Sequence, residues 1–182
     1  LCNTMLVKQP NGYAEMGIFN AANQWRNALI SSLGILTMPA IALMSNAMGL
    51  NQVSSIKKVY VKTTLLNGFL LLPVIILLSI YSPMIMGAYG SGFSTGWLVM
   101  VLMLGVTLLL GIMSPTGNLI TATGKMWLGF LMNSGWAIVL ILSTYFLVYL
   151  GAKGLALAYL IAYVVHTSWT IGYGCYYLKN EI

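Results

Sequence analysis

Residues 96 to 122, "GWLVMVLMLGVTLLLGIMSPTGNLITA", decide the fold class of this chain. The stretch contains no charged residue, and it exceeds the length of about 20 residues that a helix needs to cross a hydrocarbon core about 30 Å thick. It lacks the alternation of apolar and polar residues that is typical of a membrane-spanning strand. The sequence therefore predicts a transmembrane helix here.

The same character extends over the whole chain. Apolar residues make up 59% of the 182 positions, charged residues only 5%, and the mean hydropathy is +0.90, whereas a soluble domain has roughly 25% charged residues. Short polar breaks divide the chain into five predicted spans, at about 13 to 48, 61 to 82, 96 to 122, 127 to 150 and 154 to 178. We therefore predict an all-α integral membrane protein with five transmembrane helices in a single membrane domain over residues 1–182.

The lysines give an orientation. If the spans alternate in direction, five lysines share one side of the membrane: Lys57, Lys58, Lys62, Lys125 and Lys179. Only Lys8 and Lys153 fall on the other side. The positive-inside rule makes the lysine-rich side cytoplasmic, and with it the C-terminus.

One cation, Arg26, interrupts the first span, in "GIFNAANQWRNALI" (residues 17–30). Glu15 shares its helical face about three turns away, and three asparagines occupy the adjoining face: Asn20, Asn23 and Asn27. A charge near the bilayer centre costs from about 3 to more than 10 kcal/mol. Two interpretations stay open: a deep Arg26 that faces protein or a watery cavity, or a span that begins only at Ala28, with Arg26 extended to the outer surface.

The third span carries a polar stripe at helical spacing: Thr107, Gly111, Ser114, Asn118 and Thr121. Pro115 lies within it, and hydroxyl groups can satisfy the carbonyls that a proline leaves free in a membrane helix. Part of the stripe is then structural. Asn118 is the member that we predict to face a cavity.

The fifth span has the most regular pattern, with steps of four and three residues: Tyr159, Tyr163, His166, Thr170, Tyr173 and Tyr177. One interpretation is that the tyrosines anchor the helix at the membrane interfaces and His166 bonds a neighbouring helix. The other is a wall that faces carbohydrate, on which tyrosine rings stack. On a neighbouring line, Gly154, Ala158 and Ala162 have the spacing that lets membrane helices pack closely.

Few groups are available for catalysis. The chain has two glutamates, no aspartate and one histidine, and it shows no phosphate-binding loop, metal-ligand cluster or paired carboxylates. We therefore expect no enzymatic activity, no metal and no cofactor. The net charge of +6 is explained by membrane orientation, so we expect no nucleic-acid partner. Cys2 and Cys175 fall near opposite faces of the membrane and are not expected to form a disulfide.

Four segments together carry a family resemblance: "GYAEMGIFNAANQWRNAL…MPAIALMSNAMG", "SPMIMGAYGSGF", "ATGKMWLGFLMN" and "YLGAKGLALAYLIAYVV". In this order the chain resembles the second half of bacterial polysaccharide flippases, specifically O-antigen or oligosaccharide translocases of the superfamily that includes MATE multidrug transporters and lipid II flippases. The resemblance covers nearly the whole chain, although no single motif is diagnostic. It implies twelve helices in two six-helix lobes, of which this chain supplies part of the C-terminal lobe. The start at Leu1, without a recognisable leader, agrees with a longer parent protein that also contains an N-terminal lobe.

The resemblance also implies a function. Flippases of this kind move a polyprenyl-diphosphate-linked oligosaccharide across the bacterial inner membrane by alternating access, for O-antigen or other surface polysaccharide synthesis, with the tail in membrane lipid. Arg26 would attract the diphosphate and Asn20, Asn23 and Asn27 would bond phosphate or sugar, while Glu15 would pair with a cation of the other lobe or take part in ion coupling. The complete expected cavity set is Arg26, Asn20, Asn23, Asn27, Glu15, Asn118, Tyr163 and His166.

Three alternatives are weaker. A MATE-type multidrug or cation antiporter would need acidic residues within the membrane, and only Glu15 is available. A membrane-embedded glycan polymerase or transferase would need reactive groups in sizeable loops, and these loops are short. A purely structural membrane subunit would not need polar seams along three spans.

Overall fold

The computed structural model describes the backbone of residues 1–180 and their side chains except those of residues 35–37. The described chain is almost entirely helical and contains no strand. Its α-helices are α1 (Cys2–Val7), α2 (Gly12–Gly49), α3 (Val53–Ile80), α4 (Ser82–Ala88), α5 (Trp97–Ala122), α6 (Met126–Leu147) and α7 (Ala152–Asn180). Two 3-10 turns, Ser91–Gly96 and Val148–Leu150, precede α5 and α7.

Four of the described helices are long and apolar enough to cross a membrane: α3, α5, α6 and α7. Helix α2 adds a fifth if its two halves, Gly12–Gly34 and Met38–Gly49, form one span with a bend of 41°. The bend immediately precedes Pro39, which lacks the N–H that would continue the helical ladder. The predicted class, an all-α membrane protein, is confirmed.

The boundaries differ most at α3. The predicted span began at residue 61, but the helix begins at Val53. Lys57, Lys58 and Lys62 therefore lie on the first turns of a helix and not in a loop. The prediction followed hydropathy alone, which cannot distinguish a polar loop from the polar first turns of a helix.

Helix α5 occupies the centre of the bundle. It packs against α2, α3 and α7, and Met100, Met103 and Leu104 in its first half are fully buried. Helix α7 also packs against α6 along its length. On α7 the small-residue line of Gly154, Ala158 and Ala162 is buried, as its spacing predicts.

The two ends of the bundle differ in charge. One apolar cluster joins the end of α2, the start of α3 and the ends of α5 and α7 through Met44, Ile56, Leu119 and Tyr177. All five lysines predicted to share one side lie near these helix ends, and we call this the lysine-rich end. A second, larger cluster forms at the opposite end, around the start of α2, of α5 and of α7. Cys2 and Cys175 are both free.

Candidate functional site

Arg26 lies half-buried on α2 and points toward α7. Its Nη1 donates a hydrogen bond of 2.6 Å to Oδ1 of Asn23 and a longer one of 3.5 Å to Oδ1 of Asn27. Its guanidinium carbon lies 5.8 Å from the ring centroid of Tyr159, a cation–π distance, and the ring of Tyr159 stacks on that of Tyr163 with centroids 6.5 Å apart. The buried Nε atom has no hydrogen-bond partner within the described residues. The structure thus gathers a cation, two amides and two tyrosines at one place.

The position of Arg26 along the bundle can be measured from Glu15, which lies on the same helix. The Glu15 carboxylate contacts Ala152 at the start of α7, and Arg26 lies eleven residues further along α2. At 1.5 Å per residue this places Arg26 roughly 16 Å deeper in the bundle than the start of α7. Both interpretations of its depth in the membrane that the sequence left open stay predictions.

An aromatic cluster continues from Arg26 into the bundle. Its members are Phe19 of α2, Trp136 of α6, and Tyr159, Tyr163, His166 and Trp169 of α7. Neighbouring ring centroids lie between 5.3 and 6.5 Å apart, the range in which aromatic side chains interact favourably. Trp136 and Trp169 were not anticipated from the sequence. The sequence gave only a weak indication of them. The spacing of Trp169 from His166 places it near the tyrosine line of α7, and no such spacing relates Trp136 to that line.

His166 connects the aromatic cluster to a cavity. A cavity of about 380 Å³ lies between α5, α6 and α7, and Ser114, Asn133, Thr170 and His166 are among its lining residues. His166 is only 5% exposed, and its Nδ1 has no hydrogen-bond partner within the described residues. The interpretation in which His166 bonds a neighbouring helix thus has no support from this atom.

The outward face of α2 is polar over its first half. Its exposed polar residues include Asn20, Gln24, Asn27 and Ser31, at steps of four, three and four, and we call these four the polar strip. Tyr13, Ala14 and Ala28 are also exposed there. Beyond the lysines of α3 and Asn133 of α6, the outward faces of these two helices are instead mainly aliphatic and aromatic, as Phe69 and Phe146 illustrate. Amide side chains are poorly solvated by hydrocarbon. The polar strip therefore requires water or another protein surface, whereas α3 and α6 fit lipid.

Glu15 does not lie with Arg26. Its Oε2 accepts a hydrogen bond of 2.7 Å from the backbone N–H of Ala152, the first residue of α7. Helix N-termini leave backbone N–H groups unsatisfied and carry partial positive charge, which a carboxylate complements. Gly151 supports this contact, since its φ of +68° turns the chain and a Cβ atom there would meet the Glu15 carboxylate. Helical spacing gave no sign of this partner 137 residues away, and the place of Glu15 in the expected cavity set stays a prediction.

Asn118 also faces away from the cavity. It is 8% exposed and shares the face of α5 with Gly111, which packs against Leu33 of α2 and Leu71 of α3. Ser114 and Thr121 do line the cavity. The predicted stripe is split because α5 is central, with helices on more than one side.

Other parts of the described chain offer little for catalysis. Within residues 1–180, no three or more His, Cys, Asp or Glu side chains come together as metal ligands would. Comparison gives no further assignment: the chain matches no protein-family model, no curated protein and no solved structure.

The polarity of the α2 face can be tested by cysteine labelling. In a background with Cys2→Ala and Cys175→Ala, Asn27→Cys in native membranes should react with a charged maleimide at least about tenfold faster than Phe69→Cys. Both positions are exposed, but only one should meet water, and a thiolate forms poorly in hydrocarbon. Equally slow reaction of both cysteines with the maleimide would show that α2 also faces lipid.

Proposed function

We propose that the protein is the C-terminal part of a transporter that moves a polyprenyl-diphosphate-linked oligosaccharide across the bacterial inner membrane by alternating access. The product would serve O-antigen or other surface polysaccharide synthesis. The observation that supports the proposal is the position of Arg26 between the polar strip and the aromatic cluster. Intramembrane ionisable residues usually mark a substrate or ion pathway.

The chemistry of this surface suits a diphosphate attached to a sugar. Arginine binds phosphate through two parallel hydrogen bonds from its planar fork. The amides of Asn20 and Asn27 can bond phosphate or sugar hydroxyls from the exposed side of α2. Rings such as Tyr159 and Tyr163 offer apolar faces with a polar hydroxyl, a combination that suits sugars, which have both apolar faces and hydroxyl groups.

The architecture is consistent with a second lobe. A polar strip on the outside of the bundle is explained if an N-terminal lobe of the same protein stands opposite α2 and water fills the space between. The lysine-rich end would then be cytoplasmic by the positive-inside rule, together with the C-terminus. Membrane lipid would surround α3 and α6.

The antiporter alternative loses its main candidate residue. Glu15 was the acidic group available for ion coupling, and its carboxylate is engaged with the start of α7. No described feature of the chain favours the antiporter over the flippase.

The proposal can be tested by reconstitution. Purified full-length protein in liposomes should transfer a polyprenyl-diphosphate oligosaccharide with a fluorescent sugar between leaflets, detected as increased quenching by a reagent that cannot cross the bilayer. A phosphatidylcholine with the same fluorophore serves as the control and should not move faster than in protein-free liposomes. Transfer of the glycolipid at the protein-free rate, by protein that remains folded and inserted, would refute the proposal.

A further inference from the structure

The outer face of α3 carries a feature that the proposed function does not use. A shallow, largely open groove runs along this face, and all of its lining residues belong to α3: Lys57, Lys58, Val61, Lys62, Leu65, Leu66 and Phe69. We call it the α3 groove. Its cations lie at the lysine-rich end, and its apolar residues follow toward the middle of the bundle.

Within residues 1–180, no anionic group compensates the charge of the α3 groove. Lys57, Lys58 and Lys62 are exposed, and none of them has an ion pair or side-chain hydrogen bond within residues 1–180. The only carboxylate side chain in that part of the chain belongs to Glu15, which is held at the opposite end of the bundle. An anion at this position would meet three cations within two helical turns.

The apolar part of the α3 groove is equally uncovered. Leu65 is 67% exposed and Phe69 77% exposed, and they continue the face of Lys58 and Lys62 at steps of three and four residues. From Lys58 to Phe69 the helix rises roughly 16 Å. This is close to the thickness of one leaflet, about half of a 30 Å hydrocarbon core.

We propose that the α3 groove binds an anionic phospholipid of the leaflet at the lysine-rich end. The lipid phosphate would lie among Lys57, Lys58 and Lys62, and an acyl chain would extend along Leu65 and Phe69. Charge complementarity selects the headgroup, because clustered lysines at the end of a membrane helix attract anionic lipids, whereas a zwitterionic headgroup has no net charge to match. The length of the apolar part of the groove along α3 favours a lipid over a soluble phosphate. Free phosphate would leave Leu65 and Phe69 without a partner. This binding is independent of the proposed transport function.

The headgroup contact can be measured by native mass spectrometry of the purified full-length protein in mixed phosphatidylglycerol and phosphatidylcholine. Each lysine near an anionic surface contributes about fivefold to binding, so K57Q/K58Q/K62Q should retain phosphatidylglycerol at least about tenfold less strongly, with phosphatidylcholine retention unchanged. The control K8Q/K153Q/K179Q removes the same net charge from exposed lysines outside the groove. It should behave as wild type.

Two results would overturn the assignment. Equal losses in both triple variants would show a general effect of net charge. If K57Q/K58Q/K62Q retained phosphatidylglycerol as wild type does but lost retention of an added polyprenyl phosphate, the groove would be a substrate site and not a phospholipid site.

The acyl chain has its own test. L65S/F69S should reduce retention of long-chain phosphatidylglycerol severalfold while leaving the short-chain dihexanoyl lipid unaffected. L72S/I76S, on the same helix and also exposed but outside the groove, should retain both lipids. Equal retention of long-chain lipid by L65S/F69S and wild type would contradict the acyl-chain contact.

Discussion

Arg26→Ala in the full-length protein should abolish surface polysaccharide while the protein still inserts in the membrane. The substitution removes the cation that approaches Tyr159 and bonds Asn23, and with it the proposed attraction for the diphosphate. Arg26→Lys keeps the charge but loses the planar fork, so partial activity is expected. The measurement is the amount of surface glycan in a strain that lacks the native protein, together with the amount of each variant in the membrane.

The control for this experiment is Lys153→Ala. It removes one positive charge from an exposed side chain at the start of α7 and should leave glycan synthesis intact. A separate readout distinguishes function from structure. If Arg26 only stabilised the bundle, its loss would lower the melting temperature and the membrane content along with the glycan. Normal glycan with Arg26→Ala would remove this residue from the mechanism.

Gly154→Ala should prevent α7 from packing, although alanine is the better helix former. A Cβ atom at residue 154 would collide with the backbone carbonyl of Leu147 and lie 3.0 Å from Cβ of Leu150. Backbone in the turn before α7 cannot move aside as a flexible side chain could. We expect a loss of at least about 3 kcal/mol, at or beyond the upper end of ordinary overpacking costs.

Gly172→Ala is the matched control, since it lies on the same helix with nothing within 4 Å of the added Cβ atom. Helix propensity alone would stabilise either variant by up to about 1 kcal/mol. Thermal unfolding in detergent should therefore move the melting temperatures of the two variants in opposite directions. Similar melting temperatures for both would contradict the close approach of α7 to the preceding turn.

The helical membrane class was predictable because hydropathy and length act locally. A run such as residues 96 to 122 needs no knowledge of its neighbours to be identified as a span. The start of α3 was missed for the complementary reason, since its first turns are polar and their helical state depends on continuity with the span that follows.

The candidate site was less predictable. Helical spacing tells which residues share a face, and Arg26 and Asn23 do bond each other as such spacing allows. It does not tell which helix lies against that face. Asn118 is therefore buried without lining the cavity, Glu15 reaches a turn 137 residues away, and Trp136 joins the aromatic cluster from a different helix.

The bond between Glu15 and Ala152 also has a consequence for biogenesis. Chains are made from the N-terminus, so the Glu15 side chain leaves the ribosome long before its hydrogen-bond donor, the backbone N–H of Ala152, exists. Its carboxylate stays hydrated while the intervening segments enter the bilayer. Helix α7 then completes the bundle by packing against α2, α5 and α6. A ribosome stalled before Ala152 would therefore leave the earlier helices inserted in the bilayer but not closed by α7.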